Sequence, residues 1–262
     1  MSKNKVFAGN LKYYLLSVLS VAILLTVWTV YSTREGSALS TPIEVIARFG
    51  DVIQSPVAGV SLVGHIWASL QRVLTGFLIA SALGILLGIC FGWFETFRFL
   101  VWPVFSIVRP IPPIAWIPLV ILWAGIGETA KVIIVFIACV MPVVLNTFSG
   151  IEEADPLLLN AGKVLGANNR QMLLSVALPD SIPTIIAGMK NALSTGWMAV
   201  VGAEMVVARE GVGFLIITGM ENLDISLVMV SIVIIACISS CLTFVLNRIE
   251  GVLCPWLKLE NK

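Results

Sequence analysis

Residues 226–246 read SLVMVSIVIIACISSCLTFVL, a run without a charge, a proline or a glycine. Each residue of a helix adds 1.5 Å of rise, so about 20 apolar residues cross a hydrocarbon core about 30 Å thick. This run has that length and reads as a membrane-spanning helix. Further apolar runs lie upstream, at about Tyr13 to Tyr31, Trp67 to Phe94, Pro103 to Ala124, Thr129 to Phe148 and Ile185 to Val207. The expected fold is therefore all-α and polytopic, a single transmembrane domain over residues 1–262 with about six spans.

The composition agrees. Of the residues, 58% are hydrophobic and 12% charged, against about 25% charged in soluble domains. The net charge of +1 gives no basic surplus to attract nucleic acid, which is not expected as a partner. The run at Tyr13 to Tyr31 exceeds the short apolar core of a signal peptide, and Ser32-Thr33-Arg34-Glu35 after it is poor cleavage chemistry. It is expected to stay as an anchor, with membrane lipid around it. The cysteines at 90, 139, 237, 241 and 254 show no metal or disulfide spacing and read as small hydrophobes.

Pro110, Pro112, Pro113 and Pro118 break the third run, so it cannot be one regular helix. Non-helical backbone at that depth must be buried in protein or line a watery cavity. Pro42 to Phe49 forms a short amphipathic segment outside the long runs. In the second run Gly76, Ala80, Gly84, Gly88 and Gly92 recur every four residues on one face, which predicts a close helix contact within the subunit.

The segment from Glu152 to Asp180 is too polar for lipid. It reads as two short helices, with Pro156 in the first turn, a break at Gly166-Ala167-Asn168, and a stop at Leu178-Pro179. Lys and Arg favour the cytoplasmic side. With six spans and both termini cytoplasmic, Lys3, Lys5, Lys12, Arg98, Lys163, Arg170, Arg248, Lys258 and Lys262 fall inside, and only Arg34, Arg48 and Arg209 clearly outside. The 152–180 loop is then cytoplasmic.

Four basic residues, Arg72, Arg109, Lys131 and Lys190, lie within or at the ends of spans and are expected to snorkel to an interface. Intramembrane charges also mark transport pathways, so Arg72, Arg109 and Glu204, with Trp116 in the proline-broken run, are candidates to line a passage. Pairing of Glu204 with a basic neighbour is the favoured reading over contact with cargo. His65 is expected to start a helix outside the membrane.

The chain carries no G-x-x-x-x-G-K-[ST] phosphate loop, so any ATP must be bound by another polypeptide. A dense intramembrane array of Asp, Glu and His, as in proton-coupled transport, is also missing. No H-E-x-x-H or workable nucleophile–base spacing supports an enzyme. A stand-alone secondary transporter or channel is the alternative.

In the polar loop, Asn160-Ala161-Gly162, then Gly166, then Val176-Ala177-Leu178-Pro179 after nine residues resembles the EAA loop of binding-protein-dependent ABC importer permeases. The family pattern is E-A-A, three residues, G, nine residues, I-x-L-P. Asn160 replaces the glutamate, Gly162 the second alanine and Val176 the isoleucine. Residues 109–119 (RPIPPIAWIPL) and 69–77 (SLQRVLTGF) resemble the nitrate, sulfonate, taurine and bicarbonate subfamily.

The resemblance implies a type I importer permease that works as a homodimer in the cell membrane of a prokaryote. It further implies two ATPase subunits carrying ATP and Mg, no cofactor in this chain, and an extracytoplasmic solute-binding protein. Asn160, Ala161, Gly162, Gly166, Ala167, Val176, Leu178 and Pro179 would couple to the ATPase. The cargo implied is a small, anionic solute.

Overall fold

Eleven α-helices and no strands make up the described residues. The computed structural model describes residues 3–34, 37 and 39–255, with only the backbone for 3–15. Of the charges counted above, Lys3, Lys5, Lys12, Lys258 and Lys262 have side chains outside the described residues.

The helices are α1 (Lys3–Ser32), α2 (Pro42–Gln54), α3 (Leu62–Trp93), α4 (Glu95–Val108), α5 (Ile117–Ala124), α6 (Glu128–Glu152), α7 (Pro156–Val164), α8 (Asn169–Met172), α9 (Leu178–Val207), α10 (Val212–Glu221) and α11 (Ile225–Leu253). By length and apolarity α3, α6, the continuous helix Asn169–Val207 and α11 can each cross a membrane. The pair formed by α4 and Pro113–Ala124 is bent by 87° and, counted as one broken span, makes a fifth. The bend is the proline cluster: Pro112 and Pro113 lack backbone donors, so the chain leaves α4, makes a 3-10 turn at Pro113–Trp116 and restarts with Pro118 in the first turn of α5. For the run Tyr13 to Tyr31, α1 supplies a helix whose described apolar side chains cover Leu16–Ser32.

The chain divides into two compact units. One comprises the residues up to Leu62 together with Leu215–Val233, and the other Val63–Phe214 together with the chain from Ile234 onward. In the first, α2 begins with a capping box: the Thr41 hydroxyl accepts from the Glu44 N–H, and the Glu44 carboxylate accepts from the Thr41 N–H. Arg48 of α2 holds Asp224 at 2.8 Å, and Asp224 accepts from the Leu227 N–H in the first turn of α11.

In the second unit, the small face of α3 lies on α6. A Cβ added at Gly76 would sit 2.7 Å from Val135 Cγ1, at Gly84 2.9 Å from Val143 and at Gly92 2.7 Å from Ile151, and one at Gly88 would meet Thr147. Helix α9 repeats the device on a neighbouring strip of α6. Gly188 of α9 faces Asn146, and Gly196 faces Cys139, whose Sγ donates to the Ala192 carbonyl at 3.2 Å. Helix α6 thus packs against two faces of small residues, and its backbone can approach both neighbours. Val73, Phe77, Val135, Val143, Leu193, Trp197 and Val200 fill the space between them.

One reading of the sequence is corrected. The second short helix does not stop at Leu178-Pro179 but runs through a π-helical turn, Leu173–Ala177, straight into α9. The Leu178 N–H bonds the Leu173 carbonyl five residues back, and this wider turn accepts a proline that an ordinary helix interior would exclude.

Candidate functional site

Two constellations carry the chemistry, both inside the second unit. The first is the helix–glycine–helix element at 156–179. Pro156 opens α7, and the Asp155 carboxylate caps it by accepting from the Leu157 N–H at 2.8 Å. At the other end the Gly166 N–H reaches the Lys163 carbonyl and the Ala167 N–H the Gly162 carbonyl, each at 3.0 Å. That bond pair is a Schellman motif, and it needs a left-handed residue after the helix. Gly166, at φ +77°, supplies it.

The chain then re-enters a helix through a second capping box, Asn168 with Gln171. Asp180 ties the element to α9: its carboxylate accepts the Asp155 N–H at 3.0 Å. Beneath it, Ile151, Ala154 and Ala177 are buried with Leu159, Leu173 and Leu178 packed against them.

The structure brings Ala161, Gly162, Val176 and Pro179 to one groove of about 440 Å³, which Leu158, Leu165 and Asp180 also line. Asn160 is exposed on α7, Gly166 and Ala167 form the turn, and Leu178 packs underneath. Gly162 has a local reason: a Cβ there would lie 2.6 Å from the Met172 sulfur. At the turn Val164 is 89% and Leu165 87% exposed, flanked by exposed Lys163, Asn168 and Arg170.

The second constellation is a buried polar cluster at the far end of α9. Arg72 is 2% exposed and Glu204 0%. Arg72 Nη1 bonds Glu204 Oε1 at 2.7 Å, while its Nε and Nη2 fork onto Glu128 at 2.5 and 2.8 Å. The same Nη1 donates to the Glu210 carbonyl, and Lys131 adds a second cation on Glu128 at 2.5 Å. Glu204 also accepts from the Ser69 hydroxyl and the Gly213 N–H. Ser69 in turn accepts the Val212 N–H, and His65 Nδ1 the Gly211 N–H. His65 stacks on Phe214 at 5.9 Å. Gly211 sits at φ +125° against the Glu204 carboxylate, where any Cβ would collide.

These contacts correct the snorkelling expectation for Arg72 and Lys131. Both are buried and ion-paired, because carboxylates on neighbouring elements stand within bonding distance. Lys190 likewise bonds Glu250 of α11 at 2.6 Å. His65 lies in the first turn of α3, as its expected place at a helix start required, and is fully buried there. Arg109 is exposed and Trp116 half-buried in the bent segment, away from the Arg72 cluster in sequence and outside its bonding network. The sequence reading singled out neither Glu128 nor the 210–213 loop, and Ser69 only as the first residue of the 69–77 motif. The available signal was Glu128 beside Lys131 at the start of a span, the same kind of position as Arg72 near the start of another.

Long apolar helices, a proline-bent helix pair and an exposed helix–glycine–helix element define the class: a polytopic helical membrane protein. Comparison with known proteins then fixes the family. The model of the binding-protein-dependent transport system inner membrane component matches residues 80–259. The taurine transport system permease protein TauC of Escherichia coli (strain K12) is 32% identical over 92% of this chain and 89% of its own length. A nitrate import permease protein NrtB of Synechocystis is 28% identical over 90% of this chain and 88% of its own.

A putative aliphatic sulfonates transport permease protein SsuC of Bacillus subtilis is 28% identical over 95% of this chain and 90% of its own. Among solved structures, an inward-facing conformation of the MetNI methionine ABC transporter superposes with a TM-score of 0.62 at 18% identity, over 73% of this chain and 95% of that one. The fold is therefore that of a type I ABC importer permease. The chain belongs to the binding-protein-dependent inner membrane components, the transmembrane permease subunits of ABC importers.

Proposed function

We propose that this permease imports a small anionic solute of the sulfonate, taurine, nitrate or bicarbonate class, with residues 156–179 as the element that couples it to a separate ATPase. The carrying observation is the turn at Gly166, which presents Val164 and Leu165 to the outside while Asp180 and the Leu159–Leu178 packing tie it rigidly to α9. Two ATPase subunits would dock on this element in a homodimer of the permease, ATP and Mg staying on the ATPase and no cofactor on this chain. Closure of the ATPases would push α7 and, through Asp180, the base of α9. Domain closure transmitted through packed helices is an established switching mode. Orientation follows the charge bias: termini and coupling element cytoplasmic, in a prokaryotic cell membrane, with a solute-binding protein delivering cargo on the opposite side.

The cargo class is supported by the names of the relatives. Arg109 and Trp116, in the bent segment, are the pathway residues whose side chains remain open to a solute, whereas Arg72 and Glu204 bond each other and brace the wall around it.

The test is co-purification of the chain expressed with its neighbouring genes. An ATPase that co-purifies with the native chain and is lost on Gly166→Trp, with membrane insertion intact, supports the reading. A chain that transports in vesicles without any ATPase overturns it in favour of a secondary transporter.

A further inference from the structure

The importer reading leaves the chemistry of helix α2 unused. It has 13 residues, Pro42–Gln54, and is about 20 Å long, too short to cross a core of about 30 Å. Its side chains sort into three sectors. Val45 and Val52 are buried. Glu44, Arg48 and Asp51 share a polar side. Ile43, Ile46, Phe49 and Ile53 fall in one arc of roughly 120° at about 100° per residue. That apolar arc is uncovered: Ile43 is 79% exposed, Ile46 72% and Ile53 58%.

Two observations place this arc against lipid. The first is depth. Arg48 is bonded to Asp224, and Asp224 caps the start of α11, a helix that can cross the bilayer. The polar side of α2 is therefore pinned where a spanning helix ends, at the boundary between hydrocarbon and headgroups. The second is chemical continuity. Within the same unit α1 exposes Leu24, Val27 and Val30 along its length, as a helix bathed in acyl chains does, and the α2 arc offers the same uncharged aliphatic surface without a hydrogen-bonding group. A protein partner would leave a polar rim around its anchor residues; here the charged groups gather on the other side of the helix.

We infer that α2 is an interfacial membrane helix: it lies in the bilayer plane with Ile43, Ile46, Phe49 and Ile53 sunk into the acyl boundary of phospholipid. Amphipathic helices of this kind bury their apolar face about 5–10 Å into that zone. The capping box at Thr41 and the Arg48–Asp224 pair hold the helix folded and oriented, so insertion costs little ordering.

The test uses the full-length chain in phosphatidylcholine–phosphatidylglycerol nanodiscs, in a background with the five cysteines replaced. Spin labels are placed one at a time through Ile43→Cys, Ile46→Cys, Ile53→Cys and Asp51→Cys. The expected result is that labels at 43, 46 and 53 collide preferentially with oxygen, which concentrates in lipid, and the label at 51 with a water-soluble nickel chelate. Preference for the nickel chelate at 43, 46 and 53 would overturn the inference. Protection from both reagents would overturn it too, because a second copy or a delivery protein would then cover the arc. Phe49→Trp gives an independent reading in the otherwise native chain: its difference fluorescence against the parent should be quenched by lipids brominated near the headgroup, and no quenching counts against the inference.

Discussion

Arg72 and Glu204 stand 132 residues apart in the chain and bond at 2.7 Å in a site closed to solvent. The guanidinium is shared among Glu204, Glu128 and the Glu210 carbonyl, so it pins α3, α6 and the loop after α9 to one point. Removing one partner of such a buried pair leaves the other charge unpaired, at a cost of about 3–5 kcal/mol. Arg72→Ala should therefore collapse the thermal stability of the detergent-purified chain, and Glu204→Gln, which keeps an acceptor for Ser69, should lower it less. The double variant should be markedly less destabilised than the sum of the two. Additive effects in a thermal-shift series would show that the pair does not hold the helices.

The α3–α6 contact makes a second, separable prediction. A methyl group at Gly84 lands 2.9 Å from Val143, and both sides are helix-borne, so neither moves without shifting a backbone. Gly84→Ala should cost about 1–3 kcal/mol through overpacking, and Gly84→Leu should abolish accumulation of folded protein. Gly50 of α2 is the control: nothing lies within 4 Å of an added Cβ, and Gly50→Ala should stabilise by about 0.5–1 kcal/mol from helix propensity. Melting temperatures that move in opposite directions would confirm the pair of assignments.

The sequence makes some of this visible and hides the rest for identifiable reasons. Apolar length and the four-residue glycine spacing are local properties, so the spanning helices and the small face of α3 could be read directly. The break at Gly166 was equally legible, because a left-handed helix end has a residue-level signature. Local pattern does not state which distant residue a charge will meet. Arg72 alone fits a snorkelling side chain as well as a buried pair, and only the placement of Glu128 and Glu204 beside it decides. The stop expected at Pro179 failed for a related reason: proline excludes the ordinary helical bond, but the π turn before it re-registers the backbone, and that turn has no sequence signal of its own. A second row of small residues, Gly188, Ala192 and Gly196, had the same spacing as the first and could have been found by the same rule.

Gly166 offers a prediction on the proposed coupling element alone. A side chain at φ +77° costs about 1–2 kcal/mol, paid in the turn between α7 and α8 and not in the spanning helices. Gly166→Val should leave the melting temperature of the isolated permease within a few degrees while reducing ATPase stimulation by cargo-loaded binding protein in the assembled complex. Gly166→Asn, the residue that best tolerates this conformation after glycine, should retain more stimulation than Gly166→Val. Equal loss in the two variants would mean that bulk at the surface, and not backbone conformation, is what matters there.

Asp180 is where a push on α7 would enter the long helix, because its carboxylate accepts the Asp155 N–H at the base of α7 while its own backbone lies in the first turn of α9. Asp180→Asn keeps an acceptor oxygen but removes the charge, and Asp180→Ala removes both. If the bond transmits motion, ATPase binding should survive in each variant, since Val164, Leu165 and the Gly166 turn are untouched. Transport per ATP hydrolysed should fall in Asp180→Ala and be largely kept in Asp180→Asn. The discriminating measurement is the ratio of cargo accumulated to phosphate released in proteoliposomes. A fall in ATPase binding itself would assign Asp180 to the docking surface, and an unchanged ratio in Asp180→Ala would leave transmission to the apolar packing of Leu159, Leu173 and Leu178 against Ile151 and Ala154.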